Sequence, residues 1–243
     1  NIKKYCDKRG IIFLSTPFDY QSVDFLENLV PFYKVGSGEI TNLPFLEYIA
    51  KKRKPIILST GMSKLKEIEE AIDTIVNVDP SFFSPFSSLP SLFLLHCVSS
   101  YPADFKDVNL RAMLTLREAF KFPVGYSDHT PGIEIALASV ALGAKIVEKH
   151  FTIDKSLPGP DHKASVEPWE LKKMVEGIRN IEKALGDGIK KPVVSEEEIK
   201  RVARRSLIAT RDITPGEKIK NSDIVIKRPG TGILPKFKEK IIG

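Results

Sequence analysis

Cysteine is scarce in this chain. Cys6 and Cys97 are its only two thiols among 243 residues, too few for the disulfide framework of a small secreted domain. Both read as small buried residues, and a reducing, cytoplasmic setting is the simpler expectation. Long apolar runs are lacking too. No stretch approaches the roughly 18 consecutive apolar residues of a membrane span, and the first residues do not have the layout of a secretory signal. No glycine-rich dinucleotide loop follows any candidate strand, which argues against a nucleotide-binding doubly wound sheet. The net charge of +6 is modest, and residues 196–243 hold 12 Lys/Arg against 7 Asp/Glu, most of the excess. These cations are dispersed and lack interleaved aromatics, so nucleic acid is not the expected partner. A membrane lipid or a small anionic substrate remains open as their partner.

What is present is an alternation. Short apolar runs at Gly10–Ser15, Phe32–Gly36, Pro55–Ser59, Leu92–Cys97, Pro123–Tyr126 and Lys145–Phe151 read as strands buried on both faces. Helical stripes lie between them: Leu65, Ile68, Ile72, Ile75 and Val76 after a Ser63 cap, a segment opened by Thr130-Pro131, and Leu171 to Leu185 opened by Pro168. Repeated β-α units predict a parallel α/β architecture, doubly wound or barrel. The Pro/Ser/Phe-rich stretch 77–91 reads as a surface insertion, with Phe82, Phe83 and Phe86 as a possible partner contact. After Gly186 the composition changes: 187–200 reads as a linker with a charged helix start, and 201–243 as a small β-rich module.

In a parallel barrel the C-terminal strand ends converge on one mouth. Those ends read Ser15-Thr16; Lys34, Ser37 and Glu39; Ser59-Thr60; Ser99 and Tyr101; Ser127-Asp128-His129; and Glu148-Lys149-His150. Hydroxyls, glycine-turn amides and a lysine are donors suited to a phosphate or carboxylate. His129 and His150 end successive strands and read either as hydrogen-bonded structural histidines or as ligands of a divalent cation. His96, inside an apolar run, reads as a satisfied core histidine. In the stretch 124–132 (VGYSDHTPG), Ser127 and His129 alternate toward the mouth, and Asp128 faces away as support. The loop 157–165 is an ordinary turn or brings Asp161 over the mouth. The turn 227–232 leaves the same choice open for Arg228.

The stretches STPFD, KVGSGEITNLP, ILSTGMS, HCVSSYP, DVNLRAM, GYSDHTPGIE, EKHFTIDKSLPGPDHKAS and ARRSLIATRDITPGEKI resemble the bacterial sialic acid synthases, N-acetylneuraminate synthase and its legionaminate relatives. The resemblance runs over essentially the whole chain. It implies a TIM-type (β/α) barrel over 1–186, a linker over 187–200 and an antifreeze-protein-like SAF domain over 201–243. The implied reaction condenses phosphoenolpyruvate with an N-acetylated hexosamine, N-acetylmannosamine, to a nine-carbon sialic acid and releases phosphate; legionaminate or pseudaminate synthesis from a bis-acetamido sugar is the alternative. An inactive sugar- or metal-binding fragment is the alternative from a different class.

By the same resemblance, Thr16, Lys34, Ser37, Ser59, Ser99 and Ser127 hold phosphoenolpyruvate, with Ser99 standing where many members have Asn. His129 and His150 hold Mn²⁺ or Mg²⁺, Glu39 handles a proton, and Tyr101 and Asp161 contact the sugar. Arg228 reaches the site of the other subunit in a domain-swapped homodimer. Six strand candidates stand where a closed barrel needs eight, so the expectation is a barrel incomplete at its N-terminus, an SAF domain cut short, and exposed sheet edges.

Overall fold

The computed structural model describes residues 1–83 and 91–243 and divides the chain into two compact units, Asn1–Gly186 and Asp187–Gly243. In the first unit the order is α1 (Ile2–Arg9), α2 (Tyr20–Leu26), β1 (Tyr33–Val35), α3 (Leu43–Ala50), β2 (Ile56–Ser59), α4 (Leu65–Val78), β3 (Leu92–Cys97), α5 (Ala112–Phe120), β4 (Val124–Asp128), α6 (Glu134–Ala141), β5 (Val147–Lys149) and α7 (Pro168–Leu185). The five strands form one parallel sheet in the order β1-β2-β3-β4-β5. Neighbours in the sheet are thus neighbours in sequence, joined through helices.

The β2 and β4 residues are buried throughout, as continuous apolar strands covered by helices require. Tyr33, Ile56, Leu58, Leu92, Leu94, Val124 and Tyr126 pack with Leu46 and Ile49 of α3, Ile68 and Ile75 of α4, and Met113 and Leu116 of α5. Each fully buried Leu or Ile there contributes about 1.5–3 kcal/mol of transfer free energy. At Gly125 a Cβ would lie 2.4 Å from the Ile146 carbonyl oxygen; β4 approaches the chain entering β5 too closely for any side chain.

Three sequence expectations need correction. Gly10–Ser15 is not a strand: Ile11 and Ile12 are 62% and 67% exposed, and the Ile11 N–H turns back to the Cys6 carbonyl. An apolar run becomes a strand only where a partner edge pairs with it, so among the described residues the sheet has five strands, not six. Ser63 does not cap α4. Lys64 occupies that position, its N–H bonded to Glu67 Oε2 at 2.7 Å, while the Ser63 hydroxyl donates to the Gly61 carbonyl. Phe82 is buried in the core rather than displayed to a partner; Phe86 lies outside the described residues. Pro168 opens α7 at its first position, as expected.

In the second unit, α8 (Glu196–Ala203) precedes an antiparallel pair, β6 (Ser206–Ala209) and β7 (Ile224–Lys227), and α9 (Lys238–Ile241) follows. Its polar interior is satisfied. Ser206 donates to Pro229 O and accepts the Gly232 N–H, and Arg211 Nε donates to buried Asp223 at 2.9 Å. Arg228 is exposed on the turn after β7. Among the described residues no helix is long and apolar enough to cross a membrane.

Candidate functional site

Alternate residues of a strand face opposite sides of a sheet, and the parallel register carries that alternation from strand to strand. Cys97 pairs with Ser127, and Ser127 with Glu148. The result is a cavity of about 640 Å³ at the C-terminal strand ends. Nine residues read from the sequence line it: Thr16, Lys34, Ser37, Ser59, Ser99, Tyr101, Ser127, His129 and His150.

Lys34 is the cation at the floor. It is 9% exposed, donates to Ser59 Oγ at 2.8 Å and to its neighbour's carbonyl, Val35 O, at 3.1 Å, and stands 3.5 Å from Glu148 Oε2. The Ser127 hydroxyl donates to Glu148 Oε1 at 2.6 Å. Lysine, two serines and one carboxylate therefore form a continuous polar chain across the cavity. Beside it, Ser37 Oγ accepts the Gly61 N–H at 3.0 Å and lies 3.2 Å from Cys97 Sγ. A Cβ on Gly61 would fall within 3.0 Å of the Ser37, Cys97 and Ser99 side-chain ends, so the hydroxyls crowd one backbone amide. Together with Lys34 this is a donor-rich cradle for an oxyanion.

The imidazoles close the other side. His129 Nδ1 donates to the Val98 carbonyl at 2.6 Å, which leaves Nε2 as an acceptor, 3.4 Å from Ser127 Oγ. The His129 and His150 ring centres are 5.3 Å apart, and Tyr101 packs on both, at 4.2 and 5.5 Å. Burial pushes the His129 pKa below the usual histidine value, and the nearby His150 adds to that effect. Burial raises the Tyr101 phenol.

A backbone carbonyl fixing one ring nitrogen so that the other is a free donor of electrons is the arrangement metal-ligating histidines adopt. Among the described residues, no group of three or more His, Cys, Asp or Glu gathers as a cage. His129 and His150 are therefore at most part of a ligand set, and any metal held there would need further ligands from substrate or water.

Three expected residues stand outside this lining. Glu39 ends the turn Ser37–Glu39, half-buried, and accepts from Asn42 Nδ2 at 2.8 Å. Asp161 is exposed, and Arg228 belongs to the second unit. The sequence reading gave no role to Glu148, the carboxylate that does line the cavity, nor to Cys97, Phe18 and Met62. Period two was the available signal for Glu148, since it shares a face with His150. His96 bonds Val108 O at 2.8 Å on the helix side of the sheet, as a satisfied core histidine should.

Residues 1–190 match the NeuB family and residues 204–243 the SAF domain. The N,N'-diacetyllegionaminic acid synthase of Campylobacter jejuni is 51% identical over 98% of this chain and 70% of its own length. The enzyme of the same name from Legionella pneumophila is 49% identical over 100% of this chain and 67% of its own. Among solved structures, the N-acetylneuraminic acid (sialic acid) synthetase of Leptospira borgpetersenii, crystallised with citrate, superposes with a TM-score of 0.72. It is 42% identical, over 82% of this chain and 66% of that one. The chain thus spans about two thirds of the length of these relatives.

Proposed function

This chain belongs to the NeuB family, and we propose that its first unit carries a site condensing phosphoenolpyruvate with an N-acetylated sugar. The product is a nine-carbon sugar acid, and inorganic phosphate is released. The observation that carries this reading is the convergence in one cavity of a buried lysine, five hydroxyl-bearing side chains of the Ser/Thr type and the two imidazoles of His129 and His150. In the same reading the curled parallel sheet is part of a (β/α) barrel.

Lys34, Ser59, Ser37 and Ser127 hold the carboxylate and phosphate of phosphoenolpyruvate, with Thr16 and Ser99 at the edge. His129 and His150 would hold Mn²⁺ or Mg²⁺, which when bound supplies Lewis-acid polarisation of the sugar aldehyde. Tyr101, 44% exposed at the rim, faces the sugar, and the exposed Asp161 extends that surface.

In the reaction, C3 of phosphoenolpyruvate bonds to the aldehyde carbon, water adds to C2, and phosphate leaves by C–O cleavage. The site supplies orientation and electrostatic stabilisation of the developing charge. Glu148, held by Ser127 and Lys34, takes the proton of the added water; Glu39 is turned toward Asn42 and is the less direct candidate.

The acceptor we favour is a bis-acetamido sugar, supported by the two legionaminic acid synthases at 51% and 49% identity. The likeness to a sialic acid synthetase at 42% supports N-acetylmannosamine as the second reading. Phosphate release from phosphoenolpyruvate, measured with each acceptor and with Mn²⁺, tests both. We expect turnover that requires sugar and metal and is lost in His129→Ala. Turnover indifferent to metal, or unchanged in His129→Ala, overturns the reading.

A further inference from the structure

We infer that the buried Asp128–Lys149 ion pair is a positioning device that fixes the two imidazoles of His129 and His150 relative to each other. The inference deepens the metal-site reading above and rests on it. Asp128 and Lys149 are paired in register between β4 and β5, and each immediately precedes one of the histidines in sequence. The Lys149 ammonium lies 2.9 Å from Asp128 Oδ2, with side chains 2% and 0% exposed.

Asp128 Oδ1 accepts the Thr130 N–H at 2.9 Å and the Thr130 hydroxyl at 2.8 Å, and Lys149 Nζ also donates to Thr130 O. The residues on either side of His129 are therefore tied to one ammonium, which belongs to the residue before His150. Lys149 borders the cavity as a residue, but strand alternation turns both side chains to the face opposite Ser127 and Glu148, and the ammonium is taken up by Asp128 and Thr130. A buried ion pair is weak evidence for stability, because apolar replacement is often neutral. What it does supply is a fixed geometry, and here that geometry joins the two histidine-bearing strand ends.

The test uses the full chain and Mn²⁺, followed through the loss of the free-ion EPR signal. Asp128→Asn/Lys149→Met removes both charges and so buries no unpaired ion. It is expected to melt cooperatively yet bind Mn²⁺ about 10- to 100-fold more weakly than wild type, while His129→Ala binds none. Thr130→Val, which keeps the ion pair and removes one hydroxyl, gives a smaller loss in the same direction and serves if the double variant does not fold.

Binding within twofold of wild type in the double variant, or in Thr130→Val where only that variant folds, overturns the positioning role. A wild-type chain without saturable Mn²⁺ binding overturns the metal reading instead. Histidine ring ¹⁵N shifts of the metal-free chain then decide the positioning role alone. Wild type is expected to show His129 locked with its proton on Nδ1, and the variant a mixture of tautomers. An unchanged tautomer in the variant overturns the inference.

Discussion

Lys34 and Glu148 lie on β1 and β5, the two edge strands of the five-stranded sheet, yet their charged ends are 3.5 Å apart. Side chains from opposite edges meet only if the sheet is strongly curled, so this one distance reports the curvature that creates the cavity. It also makes Lys34 the cation at the focus of the site. Replacing it with Met should weaken phosphoenolpyruvate binding about 10- to 100-fold, the equivalent of the ~1.5–3 kcal/mol of a charge-assisted hydrogen bond. Calorimetric titration checks this, with circular dichroism to confirm the fold. Unaltered affinity would remove Lys34 from the anion site.

Glu148 acts in the opposite sense on binding. In the free site its carboxylate is the anion facing Lys34, and an incoming substrate anion must compete with it. Its side chain is 43% exposed, so the interaction is solvent-screened and worth at most about 1 kcal/mol. Glu148→Gln should therefore tighten phosphoenolpyruvate binding, by up to about fivefold, while turnover falls because the proton acceptor is gone. A paired measurement of Kd and kcat separates the two effects. If both quantities weaken together, Glu148 serves the fold of the site rather than its chemistry.

The strands and the cavity were legible in sequence to different degrees. Five runs announced β1 to β5, most of them because they are apolar on both faces, and the polar residues at their C-terminal ends marked the mouth. Gly10–Ser15 shows the limit: it is as apolar as the others, but strand formation depends on a pairing edge, which composition does not encode. Glu148 was legible as a strand-end residue at the mouth, on the same face as His150 by period two, but its role was not. It stands in a strand whose three residues are all half-buried, and its pairing with Ser127 and Lys34 depends on the curl of the sheet. Glu39 had the opposite fate, since a tight turn just beyond Ser37 rotates it onto Asn42. The tie between Asp128 and Lys149 spans 21 residues, and no local pattern reveals it.

Acid should destabilise the first unit through His96. Burial lowers its pKa below 6.5, against the opposing pull of its bonds to the Val108 and Asn109 backbone. Above about pH 6.5 both folded and unfolded chains hold the ring neutral, and stability is at its full value. As pH falls below that point the unfolded chain takes up a proton that the folded chain refuses. Stability then declines by up to about 1.4 kcal/mol per pH unit until the depressed folded pKa is reached. Urea unfolding at pH 7.5, 6.5 and 5.5 measures the slope, and His96→Asn should flatten it relative to wild type. His129 is also depressed by burial and accounts for the slope that remains. An equal slope in both chains would show that His96 does not carry the effect.

Tyr126 offers a gain of stability from deleting one atom. The residue is fully buried in β4, its ring 5.8 Å from that of His96, and among the described residues its hydroxyl is the one buried side-chain polar atom without a hydrogen-bond partner. The same burial drives its pKa well above the usual tyrosine value, a second expression of a polar group held away from water. An orphaned donor costs about 1–3 kcal/mol of desolvation, whereas an apolar group of the same shape costs almost none. The void left by one oxygen offsets part of that gain through lost packing contacts. Tyr126→Phe should then stabilise the first unit by about 1 kcal/mol, a rise of roughly 2–4 °C in Tm for a unit of this size. A fall of that magnitude would mean the hydroxyl is satisfied by an internal water, and β4 would carry a hydrated polar site on its helix-facing side as well as the cavity in front.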